Sequence, residues 1–113
     1  MADIVNEQNT YVVKASFEDD DHNPVVPDSG SYRVDDITGG VATSIISNTP
    51  FTPTLTYYNI VIPASSNVIL DQSRDFEDRI LTVKFLYSGG RQGAGEYFYT
   101  LKNMRRIETL IGS

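Results

Sequence analysis

The apolar residues of this chain come in short runs of period two, cut apart by glycine, proline, asparagine and aspartate. Side chains alternate across a strand, so such runs specify half-buried β-strands, and turn formers at this spacing specify many of them. Residues 10–17 place Tyr11, Val13, Ala15 and Phe17 on one face and Val12, Lys14 and Ser16 on the other. Residues 79–87 alternate most strongly. Leu81, Val83, Phe85 and Tyr87 are wholly apolar and must face a core, against Ile80, Thr82, Lys84 and Leu86.

The other segments follow the same logic. Residues 31–37 put Tyr32 and Val34 inward and Arg33 and Asp35 outward; Thr38-Gly39-Gly40 is a tight-turn signal, and residues 41–47 form the returning arm of a hairpin. Residues 48–53, with two prolines, read as a loop. Residues 54–62 carry apolar side chains on both faces; Tyr58, Ile60 and Ile62 are assigned inward because that avoids burying Asn59. After Pro63, residues 64–71 are the one place for a short helical turn, with Ser65 or Ser66 as N-cap and residues 68–70 as an apolar plug. Residues 71–78 read as a charged loop, 88–95 as a glycine-rich turn, and 97–104 as the last strand. Residues 4–8 are a possible seventh strand.

Six or seven strands without an intervening helix define an all-β, antiparallel sandwich of two packed sheets over residues 1–103. Residues 104–113 are a tail in which Met104, Ile107, Leu110 and Ile111 make a weak helical stripe, either a frayed end or an arm that docks on a partner. At 113 residues the chain is long enough for one domain and one core. No apolar stretch approaches the ~20 residues of a membrane helix, so no membrane partner is expected. The first seven residues show no basic and then apolar run, so no secretory leader is expected.

The chemical inventory is sparse. There is no cysteine, which removes disulfides, thiolate nucleophiles and zinc–thiolate sites. His22 is the one imidazole, so any hydrolytic triad or relay has to pass through it, yet it sits in an acidic turn beside Asn23-Pro24. No catalytic residue and no cofactor is expected. Residues 1–56 carry nine acids against two bases, whereas residues 57–113 carry seven bases against six acids. With a net charge of −6, the surface repels phosphate backbones and argues against nucleic-acid binding.

Three features retain interest. Asp19, Asp21 and Asn23 are spaced two apart and could turn oxygens toward one cation. A Ca²⁺ loop needs glycine at its sixth position, where this chain has Pro24, so the match is weak and a solvated turn is the plainer reading. The glycines of residues 89–95 lack a following helix and a Gly-Lys-Ser/Thr, so they are a hairpin tip and not a phosphate loop. Seven tyrosines include Tyr57-Tyr58, and exposed tyrosines favour interfaces. Tyr57, Tyr58, Arg91, Gln92, Ile107 and Leu110 are therefore the candidate interface residues.

Asp-His-Asn-Pro-Val-Val-Pro-Asp-Ser (residues 21–29) resembles the Asp-x-Gly-Asn-Pro-Val-Pro turn of bacterial Ig-like modules, with His22 in place of glycine and one extra valine. Residues 31–36, 62–70, 78–85 and 97–103 are similar, with looser motifs, to small Ig-like proteins encoded among phage and prophage virion genes. The resemblance implies a non-enzymatic role in capsid decoration, head–tail connection or tail attachment. Its partners would be capsid, portal or tail proteins or further copies of itself, in a virion, after synthesis in the bacterial cytoplasm. A different class of function is a surface-recognition module that binds host carbohydrate or protein through residues 88–95 and exposed tyrosines.

Overall fold

A computed structural model describes residues 3–104. They form seven strands: β1 (Asp3–Asn6), β2 (Tyr11–Ser16), β3 (Ser29–Asp36), β4 (Thr43–Phe51), β5 (Tyr57–Ile62), β6 (Phe76–Tyr87) and β7 (Arg91–Lys102). Between β1 and β7 the helical structure is two 3₁₀ turns, Thr38–Gly40 and Ala64–Ser66, and Met104, the last described residue, is helical. Five strands make one sheet in the order β1-β7-β6-β3-β4, and β2 pairs with β5 in a second. This is an all-β sandwich. In chain order its larger sheet has the G-F-C-C′ sequence of immunoglobulin-type sandwiches, and β2 and β5 take the places of B and E.

One pairing departs from the antiparallel expectation: β1 runs parallel to β7, with Asp3 opposite Tyr99 and Asn6 opposite Lys102. No crossover helix is needed, because the first and last strands among the described residues lie side by side and everything between them is the connection. The chain then turns through Gln8, in the left-handed region at φ 65°, and enters the other sheet.

The assigned inward faces hold. Ala15, Phe17, Ile60, Ile62, Leu81, Val83, Phe85 and Tyr87 are buried, as are Val34, Tyr99 and Leu101. Several strands are longer than the turn residues suggested. β4 continues through Pro50 to Phe51, because β4 is a sheet edge and proline costs an edge no ladder bond. Conversely, the strand expected from residue 54 starts at Tyr57. The turn at residues 64–66 is closed by backbone bonds, Ser66 N–H to Pro63 O and Asn67 N–H to Ala64 O, and neither Ser65 nor Ser66 caps it. Of the expected plug only Ile69 is buried; Val68 and Leu70 are exposed.

β7 runs through Gly93 because the Phe85 ring needs the space. Across four strands Phe51, Gly30, Phe85 and Gly93 stand side by side in register. The Phe51 ring lies over Gly30 and the Phe85 ring over Gly93, and a Cβ on either glycine would collide with the ring. Phe17 from β2 packs on both rings, with centroids 6.0 Å from Phe51 and 5.0 Å from Phe85. This row joins the two sheets at one end of the sandwich.

The other end is joined by charge. The supposed loop at residues 71–78 is partly β6, whose inward face continues past Leu81 to Arg79 and Glu77, both fully buried. The Arg79 guanidinium donates to Asp36 (2.8 Å), Glu77 (3.1 Å), Ser66 O (3.2 Å) and Val68 O (2.8 Å). Glu77 also accepts the amides of Leu70 (2.8 Å) and Asp71 (3.0 Å). Asn67 is buried beside them, donating to Asn9 O and accepting from the Tyr99 hydroxyl. One cation thus ties the corner between β5 and β6 to the sheet.

Candidate interaction surface

The two sheets do not close on one flank. Among the described residues β2 pairs with β5 alone, so its other edge is open along residues 11–16. β7 is covered by β1 only from Tyr99 to Lys102, which leaves residues 91–98 without a neighbour on that side among the described residues. The two bare stretches face each other across a seam. One part is a cleft of about 510 Å³ between residues 11–14 of β2 and residues 96–98 of β7, with Asp3 at its rim. The next, of about 290 Å³, lies between Ala15–Phe17–Asp19 and Ala94–Gly95–Tyr97, and reaches Val83 and Phe85 of the core.

Local sequence builds each wall. The Phe17 amide donates to Thr56 O of the neighbouring chain segment, which fixes the phase of β2. In an antiparallel ladder alternate residues bond to the same side, so the amides and carbonyls of Val12, Lys14 and Ser16 point off the sheet into the seam. On the far wall, the inward positions 93 and 95 are glycine and present no side chain. The gap is therefore a cleft floored by Val83 and Phe85, with Gly95 thinning its β7 wall. Unpaired strand edges of this kind are templates for another strand.

The rim is acidic. Asp3, Glu96, Glu18 and Asp19 line the two clefts, against Lys14. Tyr11 closes one end, its ring 4.9 Å from Tyr99 and its hydroxyl donating to Asp3 at 2.5 Å. Burial first, and then the Asp3 carboxylate, push the Tyr11 phenol well above its usual range. Tyr99 is also raised by burial, with Arg79 acting in the opposite sense.

The other end is the acidic turn. Asp19 Oδ1 accepts the amides of Asp21 and Asn23, both at 2.9 Å, and the Asp19 amide donates to Asn23 O. His22 adopts φ 64° at the tip, 88% exposed, with its Nδ1 3.5 Å from Glu18. The carboxylates of Asp19, Asp20 and Asp21 lie within 4.8 Å of one another, but Asp20 also takes Arg91 at 3.2 Å and the Tyr87 hydroxyl at 3.4 Å. Of the proposed cation trio, Asp19 is thus occupied in holding the turn, and Asn23 serves it through its backbone.

The expected interface residues are not brought to one surface. Tyr57 lies on the outer face of the small sheet with Lys14 Nζ 4.5 Å above its ring. Tyr58 faces inward, stacked on Phe51 at 4.4 Å, so it is a margin of the core and not an exposed tyrosine. The glycine-rich tip is also shorter than expected: the turn is Ser88-Gly89-Gly90, all at positive φ, and residues 91–95 are paired with β6. Arg91 is held by Asp20, and Gln92 lies on the outer face of the larger sheet, away from Tyr57. Ile107 and Leu110 lie outside the described residues. The seam itself escaped the sequence reading. Its signal was glycine at alternate, inward positions of a strand, which is easily read as a turn.

No protein-family model, curated protein or solved structure matches this chain.

Proposed function

We propose that this chain is a non-enzymatic module that works by protein–protein contact, taking a strand of its partner into the seam between β2 and β7. The observation that carries this reading is the pair of facing strand edges, residues 11–16 and 91–98, bare along a cleft that reaches the core. Strand addition supplies affinity through main-chain hydrogen bonds and specificity through alternate side-chain pockets.

The setting we propose is a tailed-phage virion, as capsid decoration, head–tail connector or tail component. That part rests on the likeness of residues 21–29, 31–36, 62–70, 78–85 and 97–103 to virion Ig-like proteins. The partner is a capsid, portal or tail protein, or a further copy of the chain. The test is purification of the particles made by the genome that encodes it. The chain should be present in fixed stoichiometry, with density at a symmetry-related position. Ser16→Pro, which removes one outward amide and leaves the ladder to β5 intact, should reduce incorporation at least tenfold. Particles lacking the chain, or a monomer that binds cells or glycans on its own, would overturn the proposal.

A further inference from the structure

The seam has a cognate strand within this sequence. We infer that residues 105–113 of a second copy add as an antiparallel strand to the open edge of β2. The inference rests on the strand-addition reading of the seam and names its occupant.

The argument starts from the segment. Arg105-Arg106-Ile107-Glu108-Thr109-Leu110-Ile111-Gly112-Ser113 places Ile107, Thr109 and Ile111 on one side at period two, all β-branched. Against β2, one antiparallel register satisfies pattern and charge together. Ile107 stands opposite Phe17, Thr109 opposite Ala15 and Ile111 opposite Val13. These three then point inward, into the cleft that Ala15, Phe17, Val83, Phe85 and Gly95 line. Glu108 and Leu110 fall opposite Ser16 and Lys14, whose main-chain groups face outward and complete the ladder. The same register sets Arg106 opposite Glu18 and Arg105 opposite Asp19, at the acidic end of the seam. The one basic pair in the chain meets the acidic rim.

A chain cannot make this pairing with itself. The tail leaves at Asn103, whose amide donates to Asp75 O at 2.8 Å and whose side chain donates to Arg74 O at 2.9 Å. Glu18 and Asp19 share their cleft with Gly95 and Tyr97, eight residues back along β7 from Asn103 in the case of Gly95. That is roughly 26 Å of strand, whereas the two residues from Asn103 to Arg105 reach about 7 Å. The donor is therefore a neighbour. Exit at one end of the sandwich and entry at the other suits repeated head-to-tail assembly.

The chain holds no cysteine, so single engineered thiols report the contact. Directly opposed residues of a hydrogen-bonded antiparallel pair lie about 5.5 Å apart at Cα, within disulfide reach. An equimolar mixture of Ser16→Cys and Glu108→Cys chains should oxidise to a covalent heterodimer. Ser44→Cys, on the remote β4 edge, should give none with the same partner. The full chain should scatter light as a multiple of its single-chain mass, and Arg105→Glu with Arg106→Glu should weaken that association at least tenfold. A full chain that stays single with no heterodimer, equal cross-linking by Ser44→Cys, or a disulfide formed only within a doubly substituted single chain overturns the inference. If particle incorporation falls with Ser16→Pro but survives truncation after Met104, the seam reading stands and the arm is rejected.

Discussion

Arg79→Met tests whether one buried cation holds the corner between β5 and β6. The side chain is fully buried and donates four hydrogen bonds, two to carboxylates and two to carbonyls. Methionine matches the length of the stem and leaves the carboxylates behind. Glu77 keeps the amides of Leu70 and Asp71, so its loss is partial. Asp36 keeps only the Thr38 amide, at 3.1 Å on its other oxygen. Removing one partner of a buried pair typically costs about 3–5 kcal/mol, because a charge is left without compensation. For a domain of this size that is a fall in Tm of roughly 10–25 °C. Urea melts followed by far-UV circular dichroism or tyrosine fluorescence read it directly. The double variant Asp36→Leu/Arg79→Met should recover part of the loss, since the carboxylate stranded by Arg79→Met is then gone. A single-variant loss below about 1 kcal/mol, or a double variant whose cost is the plain sum of the two, would refute the reasoning that the ion pair acts as a unit.

Three further outcomes are expected. Tyr87→Ala should destabilise by about 3–5 kcal/mol in the same melts, since the ring is 5% exposed and packs 5.9 Å from Phe85; a near-zero loss would mean that the inward face of β6 is misassigned. Gly93→Ala should cost about 1–3 kcal/mol by driving a Cβ into the Phe85 ring, and Phe85→Leu in the same chain should relieve it; additive losses would show that the ring over the glycine is not the cause. The third concerns alkaline pH. A phenol raised in the folded state lends stability that is complete below the unfolded pKa near 10 and is lost as pH climbs toward the folded value. Stability should therefore decline above about pH 10, and Tyr11→Phe should flatten that decline in pH-dependent urea midpoints; an unchanged slope would remove Tyr11 as its source.

The sequence made the apolar alternation legible because that pattern answers to one physical demand, burial of one face. Leu81, Val83, Phe85 and Tyr87 set the phase of β6, and Tyr58, Ile60 and Ile62 that of β5. Where the inward position holds a charge, the same rule loses its signal. Glu77 and Arg79 continue the inward face of β6, but as charged residues they read as loop, because only their mutual pairing permits them inside. Glycine hid the start of β7 for a related reason. Gly93 and Gly95 carry no side chain to alternate; what places them in the strand is pairing with Phe85 and Val83 of β6, with the Phe85 ring over Gly93, neighbours that only the fold supplies.

These two blind spots bear unequally on function. The Arg79 cluster is satisfied inside the molecule: among the described residues no buried side-chain nitrogen or oxygen lacks a partner. It fixes the corner at residues 63–75, and through Asn67 and Tyr99 it braces the lower half of β7, where β1 already covers the edge. The glycine row is the reverse case. Gly93 and Gly95 leave the upper half of β7 thin and without a covering strand, while Phe17 and Phe85 keep the core behind it ordered. On the proposed reading, a braced lower half and a bare upper half would confine strand addition to one stretch and one direction of approach. A partner strand would then meet a paired edge of defined length, so the main cost of binding would be the ordering of the incoming strand.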